Sequence, residues 1–218
     1  MKLLPVFGKE TETCRLNRRR AAILDAARAL FIEFGYEGTT LGMIVDRAGG
    51  SLATVYKLFG NKDGLLKAMV FERELSSVTA ILAARNCSEE PAETLHRIAA
   101  ELEAHLLNAD FLALVRIVMA RSIEDAQFAK EFYDRTAMRT RAGLEDLFEI
   151  WRKADLGLQG DPQMLADTFM GLIVSDMHHA AISHGSIERL TTEQFSQRTD
   201  LFLRGAGLLP RPIEHLRQ

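Results

Sequence analysis

Cysteine is nearly missing from this 218-residue chain, which carries only Cys14 and Cys87. Two such residues make neither a disulfide framework nor a zinc spacing, and this fits a reducing compartment. No segment offers the roughly 18 uninterrupted apolar residues of a membrane span. The opening MKLLPVFGKE, interrupted by Pro5 and followed by charges, lacks the apolar core of a signal peptide. The expected location is cytoplasmic, with no membrane partner. Catalytic signatures are missing as well: there is no nucleophile elbow, phosphate-binding loop, dinucleotide glycine pattern or paired-carboxylate arrangement. The chain therefore reads as no enzyme, and no cofactor is expected. His178, His179 and His184 with Asp176 come nearest to a metal cluster. Adjacent histidines point about 100° apart on a helix and only i, i+3 or i, i+4 pairs converge, so no metal is expected either. Strand alternation and internal repeats are also absent, which leaves an all-α chain of about nine helices.

An overall positive charge, the usual mark of a nucleic-acid partner, is lacking too, since the formal net charge is −3. The distribution is more informative. Residues 1–70 hold eleven Lys/Arg against seven Asp/Glu, a balance of +4, whereas residues 71–218 hold sixteen against twenty-three, a balance of −7. A basic end on an acidic body fits a DNA-binding head joined to a body that stays off the phosphates.

What is present centres on Thr39 to Leu66. Leu41, Ile44, Val45 and Ala48 have the i, i+3, i+4, i+7 spacing of one buried helical face. Gly49-Gly50 breaks that helix, and Ser51 is placed to cap a second one carrying Val55, Tyr56 and Phe59. Short helix, glycine turn and short helix form a helix-turn-helix, whose second helix enters the major groove. Ile23, Ala27, Leu30, Phe31 and Phe34 form the apolar stripe of a preceding helix, with Asn17 as its expected cap and Gly35 as its end. Arg18, Arg19 and Arg20 then fall in its first turn, where like polarity with the helix dipole is unfavourable and phosphates would compensate.

The run Ala48-Gly49-x-Ser51-x-Ala53-Thr54-Val55-Tyr56-x-x-Phe59-x-x-Lys62-Asp63-x-Leu65-Leu66 closely resembles the DNA-binding signature of the tetracycline-repressor-like (TetR) family of bacterial regulators. So does the preceding Ala22-Ile23-Leu24-x-Ala26-Ala27-x-x-Leu30-Phe31-x-x-x-Gly35-Tyr36-x-x-Thr39-Thr40. The resemblance covers about residues 18 to 67. It implies DNA contacts from Thr54, Tyr56 and Lys57, with Tyr56 and Lys57 mostly on phosphates, and phosphate contacts from Thr40 and Lys62. With Arg18, Arg19 and the start of the second helix, Ser51 and Leu52, these are the candidate DNA-binding residues. Two departures stand out. Gly50 replaces the small aliphatic residue usual after the turn glycine. Leu52 and Leu58 replace side chains that are commonly polar, basic or aromatic. Leu52 could meet a thymine methyl or pack inward beside Phe59.

Asn61 and Asp63 signal the start of a long helix reaching about Ala84, with Leu66, Val70, Phe71, Leu75, Val78 and Leu82 inside. The expected division is 17–67 for a three-helix helix-turn-helix domain and 68–210 for a helical ligand-binding and dimerisation domain. In the body, Leu95, Ile98, Leu102 and Leu106 make one stripe, and Phe111 to Ile123 is apolar nearly all round. One amphipathic helix runs from Phe128 to about Trp151. Asp161-Pro162 and Thr191-x-x-Gln194 carry start signals for the last two helices. The resemblance implies a small-molecule inducer bound among the middle helices and a homodimer built on the last two. Phe111, Val115, Met119, Phe128, Phe132, Trp151, Met170, Met177 and His178 are the candidate ligand-binding residues, Phe169 is a further one, and an inducer fitting them is largely apolar. For each of these the alternative is plain core. Arg116, His105 and Asp176 are polar groups in apolar surroundings that could orient a ligand or pair internally. The resulting function is a ligand-responsive transcriptional regulator, a repressor released from near-palindromic double-stranded operator DNA. The alternative is an all-α small-molecule-binding protein or enzyme without DNA binding.

Overall fold

The computed structural model describes residues 12–71, 81, 89–184 and 190–209. Leu75, Val78 and Leu82 of the expected connecting helix, together with Cys87, lie outside the described residues. The described residues are all-α, in two units, Met1–Val70 and Phe71–Gln218. No helix among them is long and apolar enough to cross a membrane.

The first unit contains α1 (Glu12–Gly38), α2 (Leu41–Ala48), α3 (Leu52–Phe59) and the start of α4 (62–71). α1 begins earlier than its apolar stripe indicates, so Asn17 is an interior residue and Arg18 to Arg20 stand beyond the first turn. The dipole penalty expected for them does not arise. Ile23, Ala27, Leu30 and Phe31 are buried as the stripe requires, whereas Phe34 is exposed. The helix breaks at Gly35, whose φ of 74° is left-handed. Thr39 holds this corner: it is buried, and its hydroxyl lies 2.8 Å from the Gly35 carbonyl and 3.0 Å from that of Leu30. Thr39→Val keeps the shape but removes the one hydroxyl proton that these two carbonyls share. It is expected to cost about 1–2 kcal/mol, read as a lower urea midpoint.

The second unit contains α5 (Pro91–Leu106), α6 (Ala109–Glu124), α7 (Ala126–Arg135), α8 (Ala137–Lys153), α9 (Pro162–Ile182) and α10 (Thr192–Gly205). Each start has a local cause. Asp161 accepts from the Met164 N–H at 3.0 Å, with Pro162 in the first turn where its missing N–H costs nothing. Thr191 and Gln194 form a reciprocal capping box, at 3.2 and 2.9 Å. The helix expected to run unbroken from Phe128 to Trp151 is divided at Thr136, whose φ/ψ of −114°/−90° is non-helical. Its hydroxyl donates to the Phe132 carbonyl at 2.8 Å, a local bond that competes with helix continuation.

The packing core of this unit runs through α8, α9 and α10. Phe202 stacks obliquely on Phe148 and Phe169, with Trp151 against Phe148. Polar side chains tie the helices from the rim. Arg198 of α10 holds Asp176 of α9 through two nitrogens, at 2.9 and 3.2 Å, and donates to the Leu172 carbonyl at 2.7 Å. Arg116 of α6 donates to the Ala180 and Ala181 carbonyls at 3.2 and 2.8 Å, where the end of α9 has no helical donors to offer. Both Arg116 and Asp176 are thus engaged internally.

Glu103 of α5 sits beside that Asp176–Arg198 pair. Partial burial, then the Asp176 carboxylate, raises its pKa, against a smaller opposing pull from Arg198. A carboxyl whose folded-state pKa is raised adds stability below its unfolded value and loses it as pH rises through the folded value. Glu103→Gln is therefore expected to raise the melting midpoint at neutral pH, with the gain vanishing as pH falls into the carboxylate range.

Candidate nucleic-acid interface

α2 and α3 are short and owe their ends to specific caps. The Thr40 hydroxyl accepts from the Met43 N–H at 3.2 Å, and the Ser51 hydroxyl accepts from the Thr54 N–H at 3.3 Å. Between the helices, Gly49 and Gly50 have φ of 74° and 107°, values a side chain resists. The turn therefore closes within three residues, and α3 leaves it with Ser51 already capping.

Burial divides α3 sharply. Val55 is fully buried, Leu58 and Phe59 half so, while Leu52, Ala53, Tyr56 and Lys57 share the exposed face. Tyr56 is 55% exposed and so is not a core aromatic. Leu52, at 44%, faces outward rather than packing beside Phe59. Thr54 is half-buried, its hydroxyl 3.0 Å from that of Ser51. Ala53 was not among the sequence candidates. Its exposed methyl lies between Tyr56 and Lys57 around the helix and lets this face approach a surface closely.

The basic residues around α3 have distinct surroundings. Arg18 is exposed. Arg19 reaches the turn and donates to the Ala48 carbonyl at 3.2 Å. Arg20 lies over the Phe59 ring at 5.7 Å, and Arg47 pairs with Glu33 of α1 at 3.1 Å. Lys62 of α4 donates to the carbonyls of Tyr36 and Thr39 at 2.9 and 3.3 Å, with Glu37 at 3.8 Å and the Tyr36 ring beneath it. The Tyr36 hydroxyl bonds the Asp63 carboxylate. These contacts brace α2, α3 and the start of α4 on α1. An exposed helix face with capped start and rigid support, in the basic part of the chain, defines a helix-turn-helix DNA-binding head.

The body candidates do not form one wall. Phe111 and Val115 of α6, Phe128 of α7 and Met177 of α9 are buried, with Met119, Phe132 and Met170 half-buried on the same three helices. Phe132 stacks between Phe128 and Phe71, with ring centroids 6.3 and 6.4 Å away. Trp151 and Phe169 instead belong to the α8–α9–α10 aromatic core. His178 is on the exposed side of α9, where desolvation and neighbouring His179 push its pKa down. An open cleft of about 340 Å³ lies elsewhere, between α9 and α10, lined by Met164, Leu165, Thr168, Leu172, Leu201 and Phe202.

Both parts of the chain match known families. Residues 23–69 match the family described as bacterial regulatory proteins, tetR family, and residues 93–203 match the AefR-like transcriptional repressor C-terminal domain. The chain is 28% identical over 176 residues to the HTH-type transcriptional repressor ComR of Escherichia coli (strain K12), covering 78% of this chain and 83% of that one. Its fold is similar to a TetR-family transcriptional regulator from Mesorhizobium loti, with a TM-score of 0.75, 26% identity, and coverage of 91% and 100%. It is also similar to SmeT of Stenotrophomonas maltophilia in complex with triclosan, with a TM-score of 0.70, 23% identity, and coverage of 89% and 98%. The chain belongs to the TetR family. It is a ligand-responsive DNA-binding transcriptional repressor, and the reading without DNA binding is not favoured.

Proposed function

We propose that the protein acts as a homodimer on a near-palindromic operator, with residues 17–67 as the DNA-binding region and 68–210 as the ligand-binding and dimerisation region. The observation that carries this reading is the exposed face of α3. Leu52 and Thr54 enter the major groove, where Leu52 meets thymine methyls through its apolar contact surface, and Tyr56 bears mostly on phosphates. Arg18, Thr40, Ser51, Lys57 and Lys62 hold the backbone, Thr40 and Ser51 from helix N-termini where phosphates are favoured. Such a protein works on DNA in the cytoplasm.

The inducer is a largely apolar small molecule received by α6, α7 and α9, among Phe111, Val115, Met119, Phe128, Phe132, Met170 and Met177. Methionines and aromatic rings on packed helices adapt to such a ligand. Triclosan, bound by SmeT, is an example of the chemistry. Trp151 and His178 act in this reading from outside that wall, as core and surface of the same unit. Because binding linkage is reciprocal, an inducer favouring the state with weaker DNA affinity is itself bound less well by the operator complex. The test is a screen of apolar compounds for thermal stabilisation of the free protein, followed by operator-release titrations. Compounds that stabilise and also release DNA support the reading. If every stabilising compound leaves operator affinity unchanged, the inducer reading is lost.

A further inference from the structure

We propose that Arg19 is a positioning residue for DNA reading, its guanidinium lying in the space beside Gly50, where a φ of 107° already favours glycine. The inference starts from the end of α2. Ala48 closes that helix, and the chain turns away at Gly49 with φ 74° and ψ 162°, so no following N–H returns to the Ala48 carbonyl along the helix. Arg19 Nη1, reaching over from α1, donates to that carbonyl at 3.2 Å. It brings positive charge to the negative end of α2, the favourable sense for a helix dipole. The cap is supplied across the fold, 29 residues away in sequence.

Gly50 completes the arrangement. A Cβ built there would overlap the guanidinium, with Nε at 2.8 Å and Cζ and Nη2 nearer still, whereas one on Gly49 would meet Nη1 at an ordinary 3.7 Å. A side chain at position 50 would have to displace the guanidinium, and the φ of 107° resists one in any case. Arg19 Nη2 is shielded from solvent and has no hydrogen-bond partner among the described residues. Arg19 was expected on a phosphate; its guanidinium instead sets the turn from which α3 departs, one residue before the Ser51 cap. It thereby governs the pitch at which Leu52 and Thr54 meet base edges.

This rests on α3 being the helix that enters the groove, and the test separates the two claims. A duplex selected by the wild-type protein from a random pool is compared with an unrelated duplex over a range of salt. The variants are Arg19→Met, which keeps the aliphatic stem, Gly50→Ala, and the double substitution, each first checked for folding by thermal melting. The selected duplex is expected to lose about tenfold in affinity with either single variant, while unrelated DNA changes by less than about twofold and the salt slope is unaltered. The double variant is expected to lose far less than the product of the two single losses, because each removes the same arrangement. Should Arg19→Met fail to fold, Arg19→Lys decides on the ratio of selected to unrelated binding, since it keeps the charge a phosphate contact needs but not the guanidinium. The proposal is overturned by a salt slope shallower by about one for each arginine removed with equal losses on both duplexes, the mark of a phosphate contact. Independent, multiplying losses or unchanged affinity overturn it as well. A wild type that selects no duplex removes the reading of α3 and this assignment together.

Discussion

Replacing Leu201 by glutamate is expected to convert the proposed dimer to monomers and to lower operator affinity by about 10²–10⁴-fold, the loss of linked two-site binding. Leu201 is 69% exposed on α10 and Met164 is 53% exposed on α9, at the two sides of the 340 Å³ cleft. Along the same side of α9, Thr168 and Gly171 are exposed, and a Cβ on Gly171 would meet nothing within 4 Å. Small residues in open space beside large exposed apolar ones are what a self-complementary helix pair needs, since they let a second copy approach closely. A two-fold interface presents every such residue twice, so one glutamate introduces two buried charges without partners. Sedimentation measures the assembly and fluorescence anisotropy the DNA affinity. A variant that remains dimeric with full operator affinity would place the interface elsewhere.

Tyr56→Ala should have the second large effect. A well-made base or backbone contact in the groove contributes about 1–3 kcal/mol, and in a dimer each is lost at both half-sites. Doubling gives about 2–6 kcal/mol, roughly thirtyfold to ten-thousandfold at 1.4 kcal/mol per decade. Tyr56 supports nothing in the core that would confuse the result, because Val55 carries the buried side of α3. Lys57→Ala should differ in its salt dependence: the slope becomes shallower by about two, one phosphate per head, whereas loss of the uncharged Tyr56 leaves the slope unchanged. Full operator affinity in the Tyr56→Ala protein would place this face of α3 away from the DNA.

The helical periodicities and their caps were legible because both are local. Thr191 with Gln194, Asp161 with Pro162 and Ser51 with Thr54 each act within a turn of chain, and all are formed as the residue types imply. The helix-turn-helix was legible for the same reason, its turn glycines standing beside the cap. Polar side chains reaching across the fold were not. Arg19 meets Ala48, Lys62 meets Tyr36, and Arg198 meets Asp176, at separations of 29, 26 and 22 residues that no period records. Three arginines in a row look like a phosphate patch until the partners of each are known. The body candidates show the same limit. A methionine or aromatic ring has the same pattern whether it lines a cavity or fills a core, so Trp151 reads like Phe128 although it packs in a different cluster. The division at Thr136 depends on a hydroxyl choosing a backbone carbonyl over solvent, which periodicity does not register.

The central claim is that this head binds specific DNA and that a small molecule controls the binding. The most direct measurement is anisotropy of the purified protein with duplex DNA from upstream of its own gene, titrated with salt and then with a compound that stabilises the free protein. The account predicts binding tighter than to unrelated DNA, weakening steeply with salt, and release by the compound without loss of the dimer. Equal affinity for every duplex at each salt concentration, with no response to any stabilising compound, would contradict it.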